Sequence, residues 1–161
     1  GDTKTHKLSV LHIKRLFKYI CKLSNHKGSI MITSSRRTSK ECIKQIKKEV
    51  KKLKIKSIFW DINDKTANPY YGFLAHGDLV VVTGDSVSIC SEVCSTGKPL
   101  LIYAPKDITQ KKHDIFHKIL IKKGIAKYLE DFKIQDLNNF TYKPINEAEN
   151  IAKIIKNKYL I

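Results

Sequence analysis

The residues with the most chemical promise fall in two short polar stretches, each following an apolar run. Arg36 and Arg37 lie in the first, Ser34-Ser35-Arg36-Arg37-Thr38, and the chain has one other arginine, Arg15. A planar guanidinium suits two-point contact with phosphate oxygens, so this pair outweighs any pair of lysines. The stretch joins a strand-like run, Ser29 to Thr33, to a helix start, where unpaired N–H groups and the helix dipole favour an anion. A capped helix with two solvated arginines is an equal account, and the residues leave both open. The second stretch is the turn Thr83-Gly84-Asp85-Ser86, another anion-friendly helix start, with Glu92 six residues past Ser86. Two turns into a helix, Glu92 cannot cap it. It is either an acceptor for the hydroxyls of a sugar or ribose diol or a solvated carboxylate, and the residues alone favour the second.

Other constellations are weaker. His113 and His117 stand at i and i+4, superficially like the zinc motif H-E-x-x-H, but the acid between them is Asp114 and no third ligand is near. Surface histidines and no metal are the expectation. Cys90 and Cys94 share a helical face as small residues packing on a sheet, and with Cys21 and Cys42 they form no C-x-x-C pair, so reduced thiols are expected. P-loop, G-x-G-x-x-G and G-x-S-x-G signatures are absent, so ATPase, dehydrogenase and hydrolase readings lack their motif.

The elements that must hold these residues alternate. Ile13, Leu16, Phe17, Ile20 and Leu23 follow helical spacing from Leu8 onward, and that helix should end near Asn25 to Gly28. Ser29 to Thr33 reads as a strand. Thr38 and Glu41 form a T-x-x-E capping box, and Ile43, Ile46, Val50 and Leu53 give the helix behind it an apolar face opposite a lysine run. Next come a strand at Ser57 to Trp60, a helical turn from Pro69 to His76 and a strand from Leu79 to Val82. That strand is apolar without alternation, as if covered on both faces. A helix from Ser86 to Thr96, a strand from Leu100 to Tyr103 and a helix from Gln110 to Lys123 stopped by Gly124 follow. A short helix around Tyr128 to Phe132 and a last one after Pro144 complete the chain. The alternation predicts an α/β domain with a parallel, Rossmann-like sheet and helices on both faces, and ligands bind such sheets at the carboxyl ends of the strands.

With 161 residues the chain suits one domain with a real core. Its 31 Lys and Arg against 15 Asp and Glu give a formal charge of +16. Lysines spread along every helix read as solvated faces, so nucleic acid is not an expected partner. Lys14, Arg15, Lys18 and Lys22 lie on an amphipathic helix, which leaves peripheral contact with an anionic membrane open. No apolar run approaches the ~18 residues of a membrane span, and Gly1 to Lys7 has no signal-peptide pattern. A cytoplasmic setting is expected, with the inner membrane surface as the place of any peripheral contact.

The combination Ser34-Ser35-Arg36-Arg37-Thr38, Asn68-Pro69-Tyr70, Leu74-Ala75, Asp78 and the run Val82 to Pro99 (VTGDSVSICSEVCSTGKP) resembles the mitochondrial-fission ELM-like family, whose bacterial members are regarded as glycosyltransferase-like. The likeness extends from Thr3 to about Gly124. His76-Gly77 stands where alanine-like residues are usual, and Ile89 and Val93 replace the usual methionine and alanine. The resemblance implies a GT-B fold, with this chain as its C-terminal, nucleotide-sugar-binding half and an N-terminal domain elsewhere that supplies the acceptor site and catalytic base. A bacterial peptidoglycan N-acetylglucosaminyltransferase is similar at Ser86, Ser91-Glu92, Gly97 and Pro99. On that similarity Glu92 binds the ribose of a uridine-type donor and Ser86, with Thr83 and Asp85, lies near its diphosphate. The resemblance adds Ser34, Ser35, Arg36 and Arg37 to the nucleotide-sugar-binding set, with Arg36, Arg37 and the two helix N-termini expected to stabilise the leaving diphosphate. The resemblance also implies that Gly1 to Lys4, with Thr3 and Lys4 as binding residues, would be the remnant of a glycine-rich interdomain loop whose strand would precede residue 1, and that Asn68, Pro69 and Tyr70 would form a pocket wall. No cofactor is implied. The alternative is a fold turned into a recruitment platform at a membrane surface, as the plant members suggest.

Overall fold

Five short runs of β-branched and other apolar residues become strands, and the amphipathic segments between them become helices that cover the sheets. The structure is a computed structural model and describes residues 1–24 and 27–159. The strands are β1 (Ser29–Thr33), β2 (Lys56–Trp60), β3 (Val80–Thr83), β4 (Leu100–Tyr103) and β5 (Ala126–Tyr128). The helices are α1 (Val10–Ser24), α2 (Lys40–Val50), α3 (Tyr70–His76), α4 (Val87–Cys94), α5 (Lys111–Lys122) and α6 (Glu147–Tyr159). Two 3₁₀ turns, Leu129–Asp131 and Ile134–Asn139, stand between β5 and α6. The first takes the place of the short helix expected from Tyr128 to Phe132, and β5, a strand of three residues, escaped the sequence pattern altogether. The expected end of α1 near Asn25 falls partly outside the described residues.

Every strand pairing is parallel. Thr33 lies opposite Trp60 in the pair β1–β2, Thr83 opposite Tyr103 in β3–β4, and Leu100 opposite Ala126 in β4–β5. The strands nevertheless form two sheets, β1-β2 and β3-β4-β5. The result is a mixed α/β, Rossmann-like arrangement of parallel sheets flanked by helices.

The strand covered on both faces is β4, rather than the Leu79 to Val82 run. All four β4 residues are buried, whereas in β3 only Val82 is. Side chains alternate along a strand, so β4 feeds two cores. Leu101 and Tyr103 join Ile13, Phe17, Cys42, Ile46 and Leu129 under α1 and α2. Leu100 and Ile102 join Val82, Cys90, Val93 and Leu120 under α4 and α5. The thiols of Cys90 and Cys94 are pushed up to about 12 and about 11 by burial, so both pack as small apolar groups.

Helix ends explain several polar residues. The cap of α2 is Ser39, whose side chain accepts from Cys42 N. The expected cap Thr38 instead closes the preceding turn, its Oγ1 accepting from Ser35 N at 3.1 Å. A second cap was not foreseen: Ser9 Oγ and His12 Nδ1 lie 2.8 Å apart, and His12 Nε2 reaches Asp107 Oδ2 at 2.9 Å, tying the start of α1 to the loop after β4. Lys98 donates to the carbonyls of Ala75 and Gly77, both at 2.6 Å, and so closes the C-terminus of α3. Neighbouring Gly97 has φ of +74°, a left-handed conformation that glycine adopts without penalty. Helix α6 buries no residue, and its Ile151, Ile154, Ile155 and Tyr159 are exposed. Among the described residues no helix is long and apolar enough to cross a membrane.

The histidine pair on α5 is split by the fold. Expected at the surface, His117 is 0 % exposed, and neither ring nitrogen has a hydrogen-bond partner among the described residues. Burial first, then the neighbouring His113, pushes its pKa below the usual histidine range, with Asp114 and Asp85 opposing. The unfolded chain therefore binds more protons than the folded one between the depressed folded pKa and about 6.5. The stability contributed by the neutral ring is full above pH 6.5, falls as pH drops through that window, and levels off below it. Leucine is close in size and needs no partners, so His117→Leu should flatten this part of the slope. Urea unfolding at pH 7.5 and 5.0 is the check: the variant should gain on the parent at the lower pH, and parallel losses would overturn the assignment.

Candidate functional site

One cavity runs along β1 and β3 and another opens at the carboxyl ends of the strands, and they differ in character. The first, about 550 Å³, is largely apolar and runs between β1 and β3 beneath α1 and α3. The second, about 930 Å³, is polar, lined by residues 2–6, Arg37, residues 85–88 and residues 110–113. Lys4, Arg37, Lys111 and Lys112 face it against two carboxylates, Asp2 and Asp85, so the net charge of its wall is positive. Two helix starts open on it, those of α4 and α5. The capping residues Ser86 and Gln110 make no side-chain capping bond, which leaves N–H groups of both first turns available to an anion.

The centre of this cleft is Asp85, 4 % exposed, at the end of β3. Arg37 Nη2 lies 2.8 Å from its Oδ2 and the Gly1 nitrogen 2.7 Å from its Oδ1. Oδ2 is buried and receives no directed hydrogen bond, so Arg37 holds it by charge. Asp2 N also donates to Arg37 O at 2.7 Å. These contacts join the polar stretch after β1 to the one after β3 across the gap between the two sheets. The side chain of Arg37 remains 47 % exposed and lines the cleft.

The sequence-predicted residues divide accordingly. Thr3, Lys4, Arg37, Asp85 and Ser86 come together at the polar cleft. Thr33, Ser34, Ser35, Thr83 and Tyr70 line the apolar cavity alone, while Arg37, Asp85 and Ser86 stand between the two and line both. Ser34 Oγ accepts from Ile62 N at 2.8 Å, a structural tie between the loops after β1 and β2. Arg36 is exposed and lines neither cavity. Glu92 is exposed on α4, outside both linings, and accepts from Tyr70 Oη at 2.6 Å. Burial and Glu92 push the phenol of Tyr70 well above its ordinary range, so Tyr70 stays a donor to that carboxylate. Asn68 Oδ1 accepts from Tyr70 N at 3.0 Å and holds the start of α3 just after Pro69. Sequence reasoning missed His6, Gln110, Lys111, Lys112 and His113 as cleft residues. The run of cations at the start of α5 was the available signal, but nothing local relates it to Asp85. Among the described residues no group of His, Cys, Asp and Glu could hold a metal ion.

Parallel half-sheets with a cationic polar cleft at their carboxyl edge define a Rossmann-like α/β domain of the kind that binds ligands at strand ends. The chain belongs to the mitochondrial fission ELM1 family, whose profile matches residues 1–159. It is 37% identical to a mitochondrial fission protein ELM1 of Arabidopsis thaliana over 130 residues, 80% of this chain and 29% of that protein. It is 43% identical to the uncharacterized protein RP120 of Rickettsia prowazekii (strain Madrid E) over 89 residues, 55% of this chain and 25% of that one. The chain thus spans less than a third of each curated relative. A solved 2,5-dihydroxypyridine dioxygenase of Pseudomonas putida KT2440 aligns with a TM-score of 0.34 and 17% identity over 60% of this chain and 35% of its own, too loosely to inform fold or chemistry.

Proposed function

We propose that the polar cleft binds the diphosphate of a nucleotide-sugar donor and that the domain is the donor half of a glycosyltransferase, completed by an acceptor domain outside this chain. The observation that carries the reading is the convergence of Lys4, Arg37, Lys111, Lys112 and two uncapped helix starts on one open cleft. Such donors placed ahead of time stabilise a leaving diphosphate without reorganising. Ser86 opens the cleft end of α4. Glu92 lies about 9 Å farther along, the rise of six helical residues. That spacing suits a ribose diol laid along α4 from its diphosphate, with Tyr70 orienting the carboxylate.

The test is calorimetric titration of the full-length protein with uridine and guanosine diphosphates. Lys112→Ala and Glu92→Ala should each weaken binding by roughly tenfold, the scale of one hydrogen bond to a charged group. Absence of binding at millimolar nucleotide would sink the proposal. A second reading, recruitment to an anionic membrane, rests on Lys14, Arg15, Lys18 and Lys22, all exposed on α1 beside an exposed Leu11. It requires cosedimentation with anionic vesicles that salt reverses.

A further inference from the structure

The polar cleft contains a group whose charge a bound anion would change. His113 is the third residue of α5 and lines the cleft. Helical side chains lean toward the N-terminus of their helix, so the imidazole stands by the open first turn. It is half-buried, and its Nδ1 is enclosed without a hydrogen-bond partner among the described residues. His113 N and Asp114 N both donate to Gln110 O, at 2.9 and 3.0 Å, which leaves the amides of Lys111 and Lys112 for a ligand. The charges that act on the ring come from several segments. Burial first, then Lys112 on its own helix, Arg37 after β1 and His6 in the N-terminal segment hold its pKa below the usual histidine range, and Asp85 after β3 opposes them. Asp2, Lys4 and Lys111 complete the charged wall, and Asp114 is paired with Lys118 at 2.7 Å. Around neutral pH His113 is therefore an uncharged ring in a cationic wall.

We infer that His113 is a further ligand of the diphosphate, one that takes a proton from solvent as the anion binds, so that donor affinity rises as pH falls. The inference rests on the proposal that the cleft holds a diphosphate, and it adds which side chain changes charge when it does. A cation at a helix N-terminus is unfavourable by itself, and Lys112 and Arg37 add to that field. An anion seated at the open turns of α4 and α5 offsets both, so the charged imidazole is favoured in the complex and disfavoured in the free protein. The linkage is reciprocal: what the anion does to the proton affinity of His113, the proton does to the affinity for the anion. Affinity is therefore flat well above the pKa of His113 in the complex. It rises as pH falls from that value to the lower one of the free protein, and levels off below it. Asp85, whose Oδ2 is also buried without a directed hydrogen bond, is the carboxylate that favours the charged ring. His117 does not compete for the proton. It is 0 % exposed with both ring nitrogens unpartnered, and His113, one turn away, lowers its pKa further. His6 lines the cleft as well, but its Nδ1 lies 2.7 Å from Thr5 Oγ1, which leaves His113 as the cleft histidine with an enclosed nitrogen to fill.

Calorimetric titration of the full-length protein with uridine diphosphate glucose tests the coupling, because a diphosphate diester carries no titrating proton of its own between pH 5 and 8. Titrations at pH 5.5, 6.5 and 7.5, at one ionic strength and in buffers of different ionisation heat, give both affinity and proton uptake. The parent should bind roughly tenfold tighter at pH 5.5 than at pH 7.5, the scale of one hydrogen bond made charge-assisted. A change of that size corresponds to an uptake of about half a proton at its maximum. In His113→Gln, whose amide stays neutral, uptake and pH dependence should vanish, while affinity at pH 7.5 stays within about twofold of the parent. Lys112→Ala should bind more weakly at every pH and keep the pH dependence, and His6→Gln should keep it too. Uptake that persists in His113→Gln, or a parent affinity indifferent to pH, would overturn the role of His113 and leave the donor reading in place. Absence of binding at all three pH values would sink that reading and this one with it.

Discussion

Replacing Gly84 with alanine lowers stability by roughly 1–3 kcal/mol, the cost of overfilling a packed site. The added Cβ would stand 2.8 Å from Ala104 Cβ, 3.0 Å from His117 Cε1 and 3.2 Å from Ala104 Cα. Relief is difficult, because Gly84 N is held by Tyr103 O at 2.8 Å and His117 is fully buried. The contrast is Gly72 on α3, where an added Cβ meets nothing within 4 Å. There alanine should stabilise by about 0.5–1 kcal/mol, since glycine loses the most freedom on entering a helix. Urea unfolding of the two variants should give opposite shifts in midpoint, and shifts of the same sign would discredit the packing around Gly84.

The second large effect separates two neighbours that the sequence treats alike. Arg37→Ala should destabilise the domain by roughly 1–3 kcal/mol, because it takes the guanidinium partner from the buried Asp85 carboxylate. The lower part of that range is more apt, given the exposure of the guanidinium. Arg36→Ala, on an exposed side chain, should stay within about 0.5 kcal/mol of the parent. Thermal unfolding of both, at matched salt, decides it. Equal losses would mean that the Arg37–Asp85 contact contributes nothing.

The same pair of arginines shows what could be read from the chain and what could not. Alternation of apolar periods announced parallel strands and helices in order, since helical spacing and β-branched runs are local properties. The seat of each polar stretch at a strand end followed from that order. Which arginine turns inward is set by the tight turn that Ser35 and Thr38 make, and by a carboxylate almost fifty residues away, so no local pattern marks it. Lys98 is a similar case. It falls inside the run that carries the family resemblance, yet its ammonium closes α3 across more than twenty residues of chain. His117 misled for the opposite reason: a histidine beside lysines on a helix looks wet, and the packing that buries it, with Gly84 close against its ring, comes from elsewhere in the chain. β5 is too short to carry a period, and β4 rather than β3 became the doubly covered strand because β3 faces a cavity.

Helix α6 carries four large apolar side chains in the open on a molecule with a formal charge of +16. In dilute buffer that charge makes the protein a colloid stabilised by self-repulsion, with copies held apart over a screening length of ~10 Å at 0.1 M salt and farther below it. Added salt compresses that atmosphere while the attraction between exposed isoleucines is untouched or strengthened. For the chain as given, added salt should therefore raise light scattering, and replacing Ile154 and Ile155 on α6 with lysine should reduce that rise.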